Sequence, residues 1–158
     1  VYENIKKEEI QIEEKTVNSD YVKPSSITDV LYDRNVTIID GVGKGYAKKL
    51  RNIGIIRLSD FMRLVNESHG LDKITKETGI YRKLLEKWSI QADFLRIHGI
   101  NHQNITKLIA IGIQSTKDLA ESNPNAIHQE LLEKNAYSEI PSIGMLQRWV
   151  RLAKKINQ

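Results

Sequence analysis

Shifted by 58 residues, the chain overlays itself, and this repeat constrains the fold more than any single motif in it. Ile39-Asp40-Gly41-Val42-Gly43 meets Ile97-His98-Gly99-Ile100-Asn101, Lys49-Leu50 meets Lys107-Leu108, Ile53-Gly54-Ile55 meets Ile111-Gly112-Ile113, and Asp60 meets Asp118. A period of this length marks a supersecondary unit that buries its apolar face against a neighbour. Each unit reads as a helix, a Gly-x-(Gly/Asn) hairpin, a second helix ending in Ile-Gly-Ile, and a capped third helix. A unit of roughly 25 residues cannot bury enough surface alone. The two are therefore expected to cover each other's apolar faces about a pseudo-two-fold axis.

Capping and stop signals place the helices. Ser26 or Thr28 is expected to cap a short helix through Leu31, and the hairpin at Asp40-Gly41-Val42-Gly43 to feed a helix over 44–53 that stops at Gly54. Ser59-Asp60 reads as the cap of a helix carrying Phe61, Met62, Leu64 and Val65, with Gly70 as its end. Leu71, Ile74, Ile80, Leu84, Leu85 and Trp88 then recur at three- and four-residue spacings, broken at Thr78-Gly79 into two short helices that connect the hairpins. Gly112 stops the second hairpin's helix and Ser115 or Thr116 caps the next. Asn123-Pro124 opens a helix with Ile127, Leu131 and Leu132. Pro141-Ser142 opens the last, whose stripe is Leu146, Trp149, Val150, Ala153 and Ile156. No segment reads as a strand, so the fold class is all-α.

At 158 residues the chain has room for one domain with a real core, or one domain plus an arm. Residues 1–27, with five Glu in the first 14 positions and a Lys23-Pro24-Ser25-Ser26 turn, read as an acidic, flexible arm or linker with a short extended piece at Ile10 and Ile12. Residues 28–158 are the helical domain. The charge is split: residues 1–37 carry five bases against eight acids, a balance of −3, while 38–158 carry 19 bases and 12 acids, a balance of +7. An acidic arm before a basic body suits a polyanion binder, although lysines and arginines that merely solvate helices give the same count. With no cysteine, disulfides and thiolate metal sites are excluded. No apolar run approaches the roughly 20 residues of a membrane helix. A cytoplasmic or otherwise intracellular place is expected. Val1 has neither an initiator Met nor a signal pattern, so the chain reads as a piece trimmed from a longer one.

The chemistry expected of the first hairpin comes from its backbone. Gly41, Gly43 and Gly45 leave the N–H groups of Gly41, Val42, Gly43, Lys44 and Gly45 unshielded by side chains, and both turn glycines are expected to be needed for the turn's conformation. Those donors and the positive end of the helix dipole form an anion site. Val42 plugs the hairpin from inside. Ala47, Leu50 and Ile53 face inward, which leaves Lys44, Lys48 and Arg51 in line on the outer face. A nucleic-acid phosphate fits that arrangement, and such contacts position a duplex without reading its bases. A Gly-x-Gly turn used only for tight packing is the competing reading.

Gly-Val-Gly, the Ala and Leu behind it and the closing Ile-Gly-Ile resemble the helix-hairpin-helix motif of DNA repair and replication proteins. Further on, Thr78-Gly79-Ile80, Leu84-Leu85-x-x-Trp88, Ala92-Asp93-x-Leu95-Arg96-Ile97-x-Gly99-Ile100, Leu119-Ala120-x-x-Asn123-Pro124, Pro141-Ser142, Trp149 and Ala153-Lys154-Lys155 resemble the domain-of-unknown-function family 4332 over about residues 38–156. That family is a divergent helix-hairpin-helix group. The resemblance implies tandem helix-hairpin-helix units, with hairpins near 40–45 and 98–103, and a nucleic-acid role. It also implies that turn carbonyls of the first hairpin could hold a monovalent cation; no other cofactor is expected. In the second hairpin Asn101 stands where the family usually has Gly, and is expected to keep the turn by tolerating positive φ. Gly99, Ile100, Asn101 and Lys107, with Arg148, Arg151 and Lys155 of the last helix, form a secondary nucleic-acid surface. Here His102, Thr106 and Ile109 replace the cation line.

Ile74 to Trp88 also resembles a DNA-reading helix-turn-helix with Tyr81, Arg82 and Lys83 opening its second helix, but a connecting helical pair fits better. Trp88 and Trp149 lie on apolar stripes and belong to the core rather than to base-stacking platforms. His98 and His102 straddle a turn without a carboxylate pair at ligand spacing, so no metal site is expected. There is no phosphate loop of the Gly-x-x-x-x-Gly-Lys-Ser/Thr type and no nucleophile in catalytic context. The expectation is therefore a non-catalytic, sequence-independent binder of DNA or structured nucleic acid. The alternative is a protein-interaction or assembly module, with a protein partner meeting the arm or the second hairpin.

Overall fold

The computed structural model describes residues 34–135 and 138–158. Eight α-helices follow a 3-10 turn at Val36–Ile38. They are α1 (Lys44–Arg51), α2 (Leu58–Val65), α3 (Gly70–Thr78), α4 (Arg82–Phe94), α5 (His102–Ala110), α6 (Thr116–Glu121), α7 (Pro124–Lys134) and α8 (Ile143–Ile156). No strand occurs among the described residues; a single bridge pairs Asn35 with Arg57. The all-α class is as expected. The acidic arm and the helix read at Ser26 to Leu31 lie outside the described residues.

The caps follow the side chains available. Ser115, Asn123 and Ser142 each accept from a backbone N–H in the first turn of α6, α7 and α8. Gly54, Gly79 and Gly112 end helical segments at φ of 86°, 73° and 91°. Three boundaries differ from the sequence reading. Helix α1 ends at Arg51, and Asn52 and Ile53 belong to the turn before Gly54. Helix α2 starts at Leu58, before Ser59-Asp60, because the Asp60 carboxylate reaches back to accept from the N–H groups of Ile56 and Arg57 at 3.0 and 2.9 Å. Gly70 does not stop α2 but opens α3, where it lies against the last carbonyls of α2.

The repeat is larger than the hairpin unit. Four helices form each half, α1–α4 and α5–α8, and the last helix of each half carries a tryptophan beneath its own glycine turn. A Cβ at Gly41 would stand 3.3 Å from Trp88 Nε1, and one at Gly99 would stand 3.7 Å from Trp149 Nε1. Both indoles are about 1% exposed and so belong to the core, with Leu85 and Ala92 flanking one and Leu146 and Ala153 the other. The expected mutual burial of two hairpins is thus corrected: each turn is closed by a helix of its own half, and the halves meet chiefly where α4 faces α5. Helices α3 and α4 are a packed pair, with Ile74, Ile80, Leu85 and Trp88 all buried. Arg82, which would open a reading helix, is instead held by Asp72 and by Glu86, whose carboxylates raise its pKa.

A polar clamp ties α4 to the second half. Asp93, its side chain 16% exposed, accepts from the Thr116 N–H at 2.7 Å and the Thr116 hydroxyl at 3.0 Å, and pairs with Arg96. Thr116 Oγ1 in turn accepts from Arg96 and from Asn157 Nδ2, at 3.2 and 3.1 Å. Removing the carboxylate orphans these donors, so Asp93→Ala should cost about 2–3 kcal/mol, measurable by urea unfolding.

Candidate nucleic-acid interface

In the first turn, buried Ile39 and Val42 fix the backbone, and the Val42 N–H donates to the Ile39 carbonyl at 3.1 Å. Gly41 takes φ of 91°. Gly43 does not: it is the N-cap of α1 at φ −79° and ψ −178°, ordinary extended backbone. The expectation that the turn's conformation needs glycine at 43 is corrected, and accessibility is what its missing side chain provides. A Cβ at Gly43 or Gly45 would meet nothing within 4 Å. No side chain caps α1, whose first intrahelical bond runs from Ala47 N–H to Gly43 O at 2.9 Å. The N–H groups of Lys44, Gly45 and Tyr46 thus stand at the open positive end of the helix.

Behind them Ala47 and Leu50 are buried and Ile53 packs on the core, so that Lys44, Lys48 and Arg51 are all exposed. Among the described residues none of the three has a carboxylate at ion-pair distance, in contrast to Arg63, Lys73, Arg82 and Arg96. Lys49 stands apart, with Nζ 6.0 Å from the centre of the Tyr46 ring, and Tyr46 meets Trp88 edge-on at 5.1 Å. Among the described residues the α1 surface therefore presents open donors and a cation row without carboxylate partners on one element, held from below by Trp88.

The second turn shares the geometry and not the chemistry. Gly99 takes φ of 91° and Ile100 is the buried plug. Asn101 is extended, at φ −113° and ψ 171°, so the expected positive φ is corrected. Its Oδ1 accepts from the Asn104 N–H at 2.9 Å, occupying a donor of the kind the first turn leaves open. The row His102, Thr106 and Ile109, equivalent to Lys44, Lys48 and Arg51, lines a groove against α4. His102 Nε2 lies 3.4 Å from Asp40 Oδ2 of the first turn. What is an outward basic face in α1 is a joint between halves in α5.

The remaining predicted residues do not line this groove. Lys107 donates to the Glu139 carbonyl and is half-buried. Arg148 stands beside the second turn, its Nη2 3.1 Å from His98 Nδ1. Arg151 lines a different hollow, formed with residues 120–124, and Lys155 is exposed farther along α8. Sequence reasoning missed Gln91, whose Oε1 accepts from the Asp40 N–H at 3.0 Å and braces the first turn from α4. Its only signal was a polar residue one turn from Trp88 on a buried stripe.

Among the described residues no helix is long and apolar enough to cross a membrane, and no group of three or more His, Cys, Asp or Glu converges. No curated protein and no solved structure matches the chain. The family described as Domain of unknown function (DUF4332) matches residues 40–156, most of the described chain and well over half of the whole. The chain belongs to the DUF4332 family.

Proposed function

We propose that this chain is a non-catalytic, sequence-independent binder of nucleic-acid backbone, and that its two glycine turns are tandem helix-hairpin-helix elements of which the first makes the phosphate contacts. One observation carries the reading: the start of α1, without a side-chain cap, and the row Lys44, Lys48 and Arg51, without an ion-pair partner among the described residues, coincide on one exposed face. Backbone donors orient an anion and the cations hold it, the combination a phosphate diester rewards. Gly41, Gly43, Lys44 and Gly45 form the cradle, and Val42, buried and with its N–H spent on the Ile39 carbonyl, supports it from below rather than donating to the phosphate. Gly99, Ile100, Asn101, Lys107, Arg148, Arg151 and Lys155 contribute at most rim contacts, because Asn101 caps α5 and Lys107 is tied to Glu139. DNA duplex is the proposed ligand. A monovalent cation could sit here only on backbone oxygens, since Asp40 already faces His102, and no step depends on one.

Gly43→Val tests the cradle separately from charge. The backbone at 43 suits any residue and the new side chain points into open space, so the circular dichroism spectrum should be unchanged. The side chain would cover the N–H groups a phosphate must reach. Loss of one charge-assisted hydrogen bond, about 1.5–3 kcal/mol, predicts at least a roughly tenfold weaker complex with random duplex. For the unmodified chain, three to five neutralised phosphates give a log–log salt slope of about −3 to −4.5. Wild-type affinity in Gly43→Val, or binding indifferent to salt, would favour a protein-interaction module instead.

A further inference from the structure

The two halves are joined head to tail. The side of α4 that carries Lys83, Glu86, Lys87 and Ile90 faces His102, Thr106 and Ile109 of α5, and Asp93 of α4 clamps Thr116 beyond it. A two-unit array of this kind has two ends, and each end leaves uncovered the face that the joint covers in the other half. At the first end the α5 row is replaced by Lys44, Lys48 and Arg51 of α1. At the second end α8 stands where α4 does, with Trp149 in the place of Trp88. Lys83, Glu86, Lys87, Ile90 and Asp93 there become Gly144, Gln147, Arg148, Arg151 and Lys154.

These exchanges all move the charge one way. The five α4 positions hold two bases, two acids and an isoleucine, whereas the five in α8 hold three bases and no acid. The apolar joint residue and the clamp carboxylate have both become cations, so α8 cannot receive a further unit as α4 does. A second copy bringing its α1 face there would set cations against cations. Arg148, Arg151 and Lys154 are exposed, and none has a carboxylate at ion-pair distance among the described residues. Arg148 keeps its charge beside His98 Nδ1, at 3.1 Å, since a guanidinium can only donate. Glu121 lines the hollow next to Arg151 and Lys154, and Lys117 on the same rim offsets it. We infer that the α8 face binds a second stretch of nucleic-acid backbone, so that the chain bridges two duplexes from the two ends of its array. Arg148 and Arg151, at most a rim for a duplex seated on α1, lie at the centre of this second face. The inference rests on the reading of α1 as a duplex site and adds the site that bridging requires.

Beads carrying one duplex, with a fluorescent duplex free in solution, test it on the full chain. The chain should carry the fluorescent duplex onto the beads, and capture should rise and then fall with protein concentration, because excess chain fills each duplex separately. Arg151→Glu with Lys154→Glu removes two charge-assisted contacts and should lower capture at least about tenfold. Its affinity for a single short duplex, read by fluorescence anisotropy, should change less than about twofold, the effect of a distant surface charge. Its circular dichroism spectrum should be unchanged, both side chains being exposed. Lys44→Glu with Lys48→Glu should lower capture and single-duplex affinity together. Three results would overturn bridging and leave the α1 reading intact: single-duplex binding by the unmodified chain without capture, capture that survives Arg151→Glu with Lys154→Glu, or single-duplex affinity that falls in step with capture in that variant. Failure of the unmodified chain to bind any duplex would end both.

Discussion

Lys44→Glu combined with Lys48→Glu should raise the dissociation constant for random duplex by about a hundredfold or more while leaving the melting temperature nearly unchanged. Two charge-assisted contacts at about 1.5–3 kcal/mol each amount to about 3–6 kcal/mol, and reversal adds repulsion where attraction stood. The log–log salt slope should become shallower by about 1.8, since each phosphate contact contributes about 0.9. The fold should survive because both side chains are exposed and neither takes part in an ion pair among the described residues. Thr106→Glu is the matched control: it occupies the position in α5 equivalent to Lys48, but on the joint with α4. Its effect should stay below about 1 kcal/mol. If filter binding showed the two variants equally impaired, net charge rather than the α1 face would account for the affinity.

The difference between the two turns also explains how far the site could be read from the residues. A constant shift of 58 aligns the turns and the helices behind them, because the glycines and the Ile-Gly-Ile stops hold that spacing. It loses the last helix of each half, where Trp88 and Trp149 stand 61 apart because the segments between them differ in length. On that shift alone the unit is too small to bury itself, and mutual burial of the hairpins follows. Once each tryptophan is placed under its own turn, that need disappears. The outward row Lys44, Lys48 and Arg51 was legible, since Ala47, Leu50 and Ile53 set the helix's inner face. Asn101 was not: an asparagine after Gly-Ile serves equally as a left-handed residue or as an N-cap, and only the 2.9 Å contact to the Asn104 N–H decides between them. The joint between α4 and α5 involves residues such as Gln91 and His102 with no local pattern to announce their meeting.

Gly70→Ala should destabilise the fold by about 3 kcal/mol, lowering the melting temperature by about 10 °C, although alanine is the better helix former. Propensity alone would favour the substitution by about 1 kcal/mol. Packing opposes it: a Cβ at Gly70 would lie 1.9 Å from the Leu64 carbonyl oxygen and 3.0 Å from the Val65 carbonyl oxygen. These are backbone atoms at the end of α2, and the reversal into α3 is already tight, with His69 at φ 58° and the Gly70 N–H donating to the Glu67 carbonyl at 3.0 Å. No rotamer change can relieve the contact, so α3 must move away from α2 and expose part of the interface that buries Met62 and Ile74. Gly45→Ala gives the opposite expectation on the same scale. Gly45 sits in α1 with nothing within 4 Å of a new Cβ, so alanine there should stabilise by about 0.5 kcal/mol. Thermal melts of the two variants should therefore shift in opposite directions, and a Gly70→Ala melt as high as that of the unmodified chain would refute the close approach of α3 to α2.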